Sequence, residues 1–403
     1  MRKLILSTIH VLMVSFIFSQ TINDHKVTIK YIQLPTDPLP ENIAAINVNL
    51  IKSYEAANED SIAAYNSRLE QAKQEQETLL EVWKSDKKRA DKIYYASMAT
   101  WQKAVNAGNT TVAKPQDPVY PDYPYLKDVP LPILTEEVEQ EATSNSIDLK
   151  GYNKGEGGAV LTVSYDGIKN AIIKKSKIGT GATTKYNYTA YYSLPIHVKL
   201  DVPGKGVLYE KSFYKNETKK LIKSESSEYD HIIWWMDNGE NYWINLQRQL
   251  FNTAINKVNS ELNEKFGFPV KSMNSEVYVV KKYKKHNYAE FVDALTYAKS
   301  GYDLLSTDVK KVNATAKINK SIGIWLDLLK ESNPADNKSR INKKATALLY
   351  ANLAEAYLWI DDFENADLYA NKGITIGVLK YKNHCKRVHD KIGLLKARYI
   401  ANQ

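Results

Sequence analysis

The chain has 403 residues, 25% of them charged and 43% hydrophobic, with 13 prolines, one cysteine and a formal net charge of +9. The lone Cys385 excludes an internal disulfide, so stability must come from burial, and the length suffices for two or three ordinary cores. Charged residues interrupt every apolar run beyond residue 18, which excludes a polytopic membrane protein.

At the N-terminus, Arg2 and Lys3 precede an uncharged apolar stretch over residues 4–18, and Ser19 stands before Gln20. This is the pattern of a cleavable signal peptide. The alternative is a membrane anchor, but the stretch is shorter than the roughly 20 residues a spanning helix needs. Cleavage after residue 19 predicts an exported protein of the periplasm or outer-membrane periphery of a Gram-negative-type bacterium. No cysteine near the cut can carry lipid, and no transmembrane segment remains. Loss of Arg2 and Lys3 lowers the net charge from +9 to +7, while residues 281–403 alone hold 22 Lys/Arg against 13 Asp/Glu. Such a basic region suits acidic envelope proteins, or anionic groups of lipid or cell wall. Export argues against nucleic acid. A basic surface that is simply solvated is the alternative.

Residues 20–150 form the first predicted unit. Residues 26–32 alternate as a strand with Val27, Ile29 and Tyr31 on one face, and Ile46, Val48 and Leu50 mark a second. Residues 58–107 contain neither Gly nor Pro. Apolar residues recur there at spacings of three and four: Ile62, Tyr65, Leu69, Ala72, Leu79, Trp83, Ala90 and Ile93, then Tyr94, Met98, Trp101 and Val105. The spacing predicts a long helix of about 75 Å with a coiled-coil-like seam, stopped at Gly108 and Asn109. The Pro/Tyr-rich stretch that follows, from Thr111 to Pro132, would cover about 68 Å as polyproline II. That match predicts a segment running back along the helix with its Tyr rings on Trp83, Tyr94 and Trp101. A disordered linker is the competing reading.

Residues 151–280 read as a small α+β domain with antiparallel strands. Residues 159–165 and 186–200 alternate as strands, and the turn Pro203-Gly204-Lys205-Gly206 leads into 207–213 as a hairpin. An amphipathic helix is predicted over 241–266, with Leu246, Leu250, Ala254, Val258 and Leu262 in steps of four and Gly267 and Pro269 ending it. Residues 277–283 are expected to return to the sheet as an edge strand.

The last third, 281–403, is helical and contains a repeat. Phe291, Ala294, Tyr297, Ala298 and Gly301 recur 72 residues later as Phe363, Ala366, Tyr369, Ala370 and Gly373. Tyr350, Leu353, Ala354 and Tyr357, followed by Phe363, Ala366 and Gly373, resemble the tetratricopeptide (TPR) consensus over residues 345–376, and partly over 287–302. Val378 stands where that family's closing Pro is expected. A helix around Ile318 to Leu329, with Trp325, is a candidate half-repeat without the motif. The resemblance implies a stacked helical array that binds peptides or protein segments on a concave face, with no enzymatic activity. The middle segment's strand order, Gly turn, Val207-Leu208-Tyr209 and helix are similar in pattern to the periplasmic part of curli-secretion lipoproteins, without that family's lipid-bearing Cys.

Catalytic signatures such as H-E-x-x-H, a Walker A loop, G-x-S-x-G and C-x-x-C are absent from the sequence. Gly155, Gly157 and Gly158 precede a strand and read as a turn. Ser85 and Lys88 match S-x-x-K but fall inside the long helix. His384, Cys385 and His389 are the one metal-like group, and a structural zinc site wants four ligands, so ordinary residues of a surface helix are the expectation. Trp234, Trp235, Tyr242 and Trp243 cluster around Asp237-Asn238-Gly239, read as a turn. They can pack the core, grip a partner or stack on sugar rings. Lys386 and Arg387 are the candidate contacts for an acidic partner. The sequence thus predicts an α+β protein without cofactor, metal site or catalysis, acting as an exported scaffold. The alternative is a carbohydrate- or cell-wall-binding module built on Trp234 and Trp235.

Overall fold

The computed structural model describes residues 20–109, 111–225 and 227–403, and the expected signal peptide lies outside them. The strands are β1 Thr21–Ile32, β2 Ala45–Lys52, β3 Asn153–Lys154, β4 Ala159–Tyr165, β5 Lys169–Ile178, β6 Lys185–Ser193, β7 Ile196–Val202, β8 Gly206–Phe213, β9 Thr218–Glu225 and β10 Val270–Lys282. The helices are α1 Glu55–Asn106, α2 Gln140–Ser146, α3 Glu228–Lys265, α4 Ala289–Tyr302, α5 Val312–Lys330, α6 Lys343–Trp359, α7 Phe363–Ile376 and α8 Leu379–Ala401. The chain is a mixed α+β protein with a long helix near its N-terminus and a helical array at its C-terminus.

In the middle lobe, β4 and β7 alternate buried and half-buried residues along their lengths. They pair antiparallel at the centre of a five-stranded sheet, β3-β2-β4-β7-β8, in which β2 runs parallel to β3 and β4. The β7–β8 hairpin forms as expected, with Gly204 and Gly206 at φ +75° and +74° in its turn. The single long strand expected over 186–200 does not form. Pro195 has no N–H for a ladder, and the chain breaks there into β6, which joins β5 and β9 in a second, three-stranded sheet, and β7. Helix α3 covers both sheets. Its Trp243 and Leu246 meet Ala190 and Tyr192 of the smaller, while Ala254, Val258 and Leu262 pack on the larger.

Strand β10 does not return to either sheet. It pairs antiparallel with β1 from one end to the other. Val277, Tyr278, Val279 and Val280 are all buried, and four consecutive buried residues need cover on both faces, which an exposed sheet edge cannot give. The ribbon therefore sits in the core of the helical lobe, against α4, α6 and α8. The buried Asn352 of α6 completes the attachment, donating to Tyr278 O at 2.8 Å and accepting from Tyr278 N at 2.9 Å.

The helices pack as the hairpins α4–α5 and α6–α7, and α8 covers the second. The repeated glycine does the same work in both copies. A Cβ on Gly301 would strike Ile318 of α5, and one on Gly373 would strike Cys385 of α8. Asp361 (φ +63°) turns the chain between α6 and α7, and Asp362 caps α7 by accepting from Asn365 N at 3.1 Å. The candidate half-repeat around Trp325 is α5, with Trp325 fully buried.

Helix α1 has 52 residues, about 78 Å at about 1.5 Å each. The Pro/Tyr-rich segment lies back along it. Trp101 Nε1 donates to Val112 O (3.1 Å), Tyr94 OH to Asp117 (3.2 Å), Trp83 Nε1 to Pro121 O (2.8 Å) and Gln76 to Pro124 O (3.2 Å). Tyr120 donates to Asp91 at 2.6 Å, and the Tyr123 ring meets Trp83 edge-on at 5.3 Å. A ring thus rests on Trp83 as expected, whereas Tyr94 and Trp101 are held by hydrogen bonds. The seam read as coiled-coil-like is filled by this extended segment and not by a second helix. At the base, Asn58 exchanges two hydrogen bonds with the backbone of Thr135 (2.9 and 3.0 Å), and the buried Gln247 of α3 donates to Leu134 O at 3.0 Å.

Candidate functional site: an aromatic and amide groove on α3

Helix α3 begins at Glu228, well before the expected Asn241, so residues 237–239 are helical and not a turn. Without a Cβ on Gly239 the Trp235 indole can lie across the helix, since any Cβ there would meet it at 2.6 Å. Between two and three turns of helix thereby gather the aromatic residues. Ring centroids lie 5.9 Å apart for Trp234–Trp235 and Trp235–Tyr242, 6.5 Å for Trp234–Tyr242 and 5.3 Å for Tyr242–Trp243. Their roles divide. Trp243 is buried and packs edge-on to Tyr192, so it belongs to the core. The Tyr242 hydroxyl is also enclosed, and burial pushes its pKa up to about 12. Trp234 is half-buried, with the Lys223 ammonium 5.5 Å from its ring centre.

Beside these rings runs a groove of about 240 Å³ lined by Lys220, Trp234, Asn238, Asn241, Tyr242, Asn245, Leu246 and Gln249. Positions 234, 238, 241, 245 and 249 step by three or four and share one face of α3. Asn238 donates to Trp234 O at 2.8 Å, which leaves its carbonyl to the groove, and Lys220 reaches Gln249 at 3.5 Å. Four side-chain amides beside a flat aromatic surface offer paired donors and acceptors with little charge. The sequence reading missed Asn241, Asn245, Gln249 and Lys220. The amides at 241, 245 and 249 already lay at four-residue spacing inside the predicted helix, but only its apolar stripe was read; Lys220, on β9, carries no such signal.

Lys386 and Arg387 stand elsewhere, on α8, exposed between the buried Cys385 and Val388. The metal-like group does not gather, and its helix is not simply a surface one. His384 and Cys385 point into the core, while His389 is exposed and bonds Asp367 at 2.7 Å. No cluster of three or more metal-ligating side chains occurs among the described residues. His384 instead stands in the middle of a largely buried chain. Glu276 accepts from Tyr278 OH (2.8 Å), which meets His384 Nδ1 (3.1 Å), and His384 Nε2 lies 3.0 Å from Glu355. That last contact is an ion pair by distance without hydrogen-bond alignment. Burial by itself would raise the Glu355 pKa, but His384 and the Trp359 indole (2.6 Å) outweigh it and hold the carboxyl at about 2. This acid–histidine–tyrosine chain ties β10, α6 and α8 together, with Tyr278, His384 and Glu355 buried and Glu276 half-buried at its outer end. Ser85 and Lys88 are exposed along α1 with no domain enclosing them.

A second concavity of about 430 Å³ between α2 and α3 has Glu136, Glu137 and Glu139 at its mouth and Tyr165 and Phe251 among its walls. Arg248 already pairs with Glu136 there. Among the described residues no helix is long and apolar enough to cross a membrane. No protein-family model matches the chain, and a search of curated proteins finds no match either.

Proposed function

We propose that the protein is an exported envelope scaffold that binds other proteins without catalysis, its helical array capturing an acidic partner on the outer face of α8. One observation carries this reading: Lys386 and Arg387 are adjacent, exposed and without an ion pair among the described residues, on a helix whose other face is fixed in the core. Two other bases of α8 are already engaged, Lys380 by Asp24 and Arg398 by Glu264. The TPR-like motif in α6 and α7 supports a binding role, but the faces of α6 and α8 toward the ribbon are filled by β10. Capture therefore falls to the exposed side of α8. Cutting the chain at Val280 would strip the ribbon of its packing, so charge reversal is the cleaner test. Lys386→Glu/Arg387→Glu should fold normally and lose the envelope proteins that crosslink to the unaltered chain. Identical recoveries from both chains would remove α8 as the docking face.

The groove on α3 favours a second reading, glycan binding, with a pyranose stacked on Trp234 and its hydroxyls on Asn241 and Asn245. Soluble N-acetylglucosamine and glucose tetrasaccharides should then quench Trp fluorescence, and Asn241→Ala/Asn245→Ala should abolish the response. Absence of quenching by both sugars would discard it.

A further inference from the structure

The arm formed by α1 and its return segment carries charge in an ordered way. From residue 55 to 81 the helix holds seven Asp/Glu against two Lys/Arg, and from 82 to 106 it holds six Lys/Arg against two Asp/Glu. The return segment does not cancel this, since Lys114, Asp117, Asp122, Lys127 and Asp128 sum to −1. The base of the arm is therefore acidic and its outer half basic. The centre of the reversal falls at residues 81–82, where Leu79 and Val82 are 54% and 55% exposed.

Val82 lies one residue from Trp83, so it points about 100° around the helix from the face that carries the return segment. Residues seven apart return to nearly the same face. Glu75 and Arg89 therefore flank Val82 at equal distances along one exposed stripe, with Ile93 beside it, also exposed.

We infer that two copies of this chain associate through their arms, antiparallel, about a two-fold axis at Val82. In that arrangement Val82 meets its own equivalent, and Glu75 of each arm faces Arg89 of the other. The acidic base of each arm then lies along the basic outer half of its mate. A parallel pairing would oppose like charges along the whole length, so the charge pattern selects the antiparallel one. The contact is isologous and closes at two copies.

Cysteine crosslinking tests this directly, because the one native thiol, Cys385, is buried. Val82→Cys should give a disulfide-linked dimer under mild oxidation. Tyr95→Cys, more exposed than Val82 (68% against 55%) but about 140° round the helix from it, should not. In sedimentation, Glu75→Arg and Arg89→Glu should each weaken self-association about tenfold through two symmetric pairs, and the double reversal should restore it. A chain that stays monomeric, a Val82→Cys variant that crosslinks no faster than Tyr95→Cys, or a double reversal that fails to restore association would each overturn the proposal. These readouts use no envelope partner, so they stand or fall apart from the α8 docking surface.

Discussion

At the scale of single residues, the recurring device is an amide side chain that stands in for a missing backbone partner. Asn352 pairs with both backbone groups of Tyr278, Gln140 accepts from Leu50 N at 2.7 Å and donates to Val48 O at 2.6 Å, and Asn58 does the same for Thr135. Each satisfies an N–H and a C=O that would be costly to bury alone. Such residues look like ordinary polar positions in the sequence, because their partners lie from 74 to 92 residues away. The same holds for Glu355. Its pKa is lowered in the folded state, so its contribution is full above the ordinary carboxylate range and is lost as pH falls toward about 2. Glu355→Gln should cost about 3 kcal/mol at neutral pH by breaking the buried carboxylate's contacts with His384 and the Trp359 indole. In urea titrations the gap from the unaltered protein should narrow steadily as the pH falls below about 4.5. A gap independent of pH would mean that Glu355 acts by shape and not by charge.

At the scale of elements, the arm shows what a periodic pattern does and does not specify. Apolar residues at three- and four-residue spacing required α1, and the match between a long helix and an extended proline-rich stretch required that one could lie along the other. What fills the seam was not contained in the periodicity, which is as compatible with a second helix. The bonds from the Trp83 and Trp101 indoles to backbone carbonyls of the return segment decide it. Trp83→Ala removes one of them, and with it the ring that Tyr123 abuts. Trypsin cleavage at Lys127 should then accelerate several-fold while α1 stays helical by circular dichroism. If cleavage is already fast in the unaltered protein and does not change, the return segment is not docked in solution. The start of α3 illustrates the opposite case. Asp237-Asn238-Gly239 has the composition of a turn, yet aromatic packing of Trp235 across Gly239 carries the helix through it.

At the scale of the whole molecule, two lobes are joined where β1 leads into β2. Arg398 of α8 reaches Leu34 O at 2.6 Å and pairs with Glu264 at the end of α3, while Asn402 donates to Pro35 O at 2.9 Å. A bond from Gln33 (2.9 Å) and the Arg398 charge hold the Glu264 carboxyl below its ordinary range. Because the Arg398 side chain is almost fully buried while Glu264 is half exposed, Arg398→Met should cost about 2 kcal/mol, chiefly through the acceptors left unpaired at Leu34 O and Glu264 O, and uncouple the lobes. Calorimetry should resolve two transitions where the unaltered protein gives one, and a single transition in the variant would mean that the lobes fold as one unit without the pair. The sequence by itself determined the local and the periodic: the long helix, the β7–β8 hairpin, the repeated helical motif with its close-approach glycines, and the basic C-terminal third. These follow from spacing, turn chemistry and composition, which act over a few residues. Only the tertiary structure decided that β1 and β10 pair across about 250 residues of chain and fill the helical lobe, that Pro195 divides a Tyr-rich run between two sheets, and that four amides line up beside Trp234. Burial selects these outcomes, and burial depends on which distant surfaces are available to cover a residue, a quantity that no window of sequence contains.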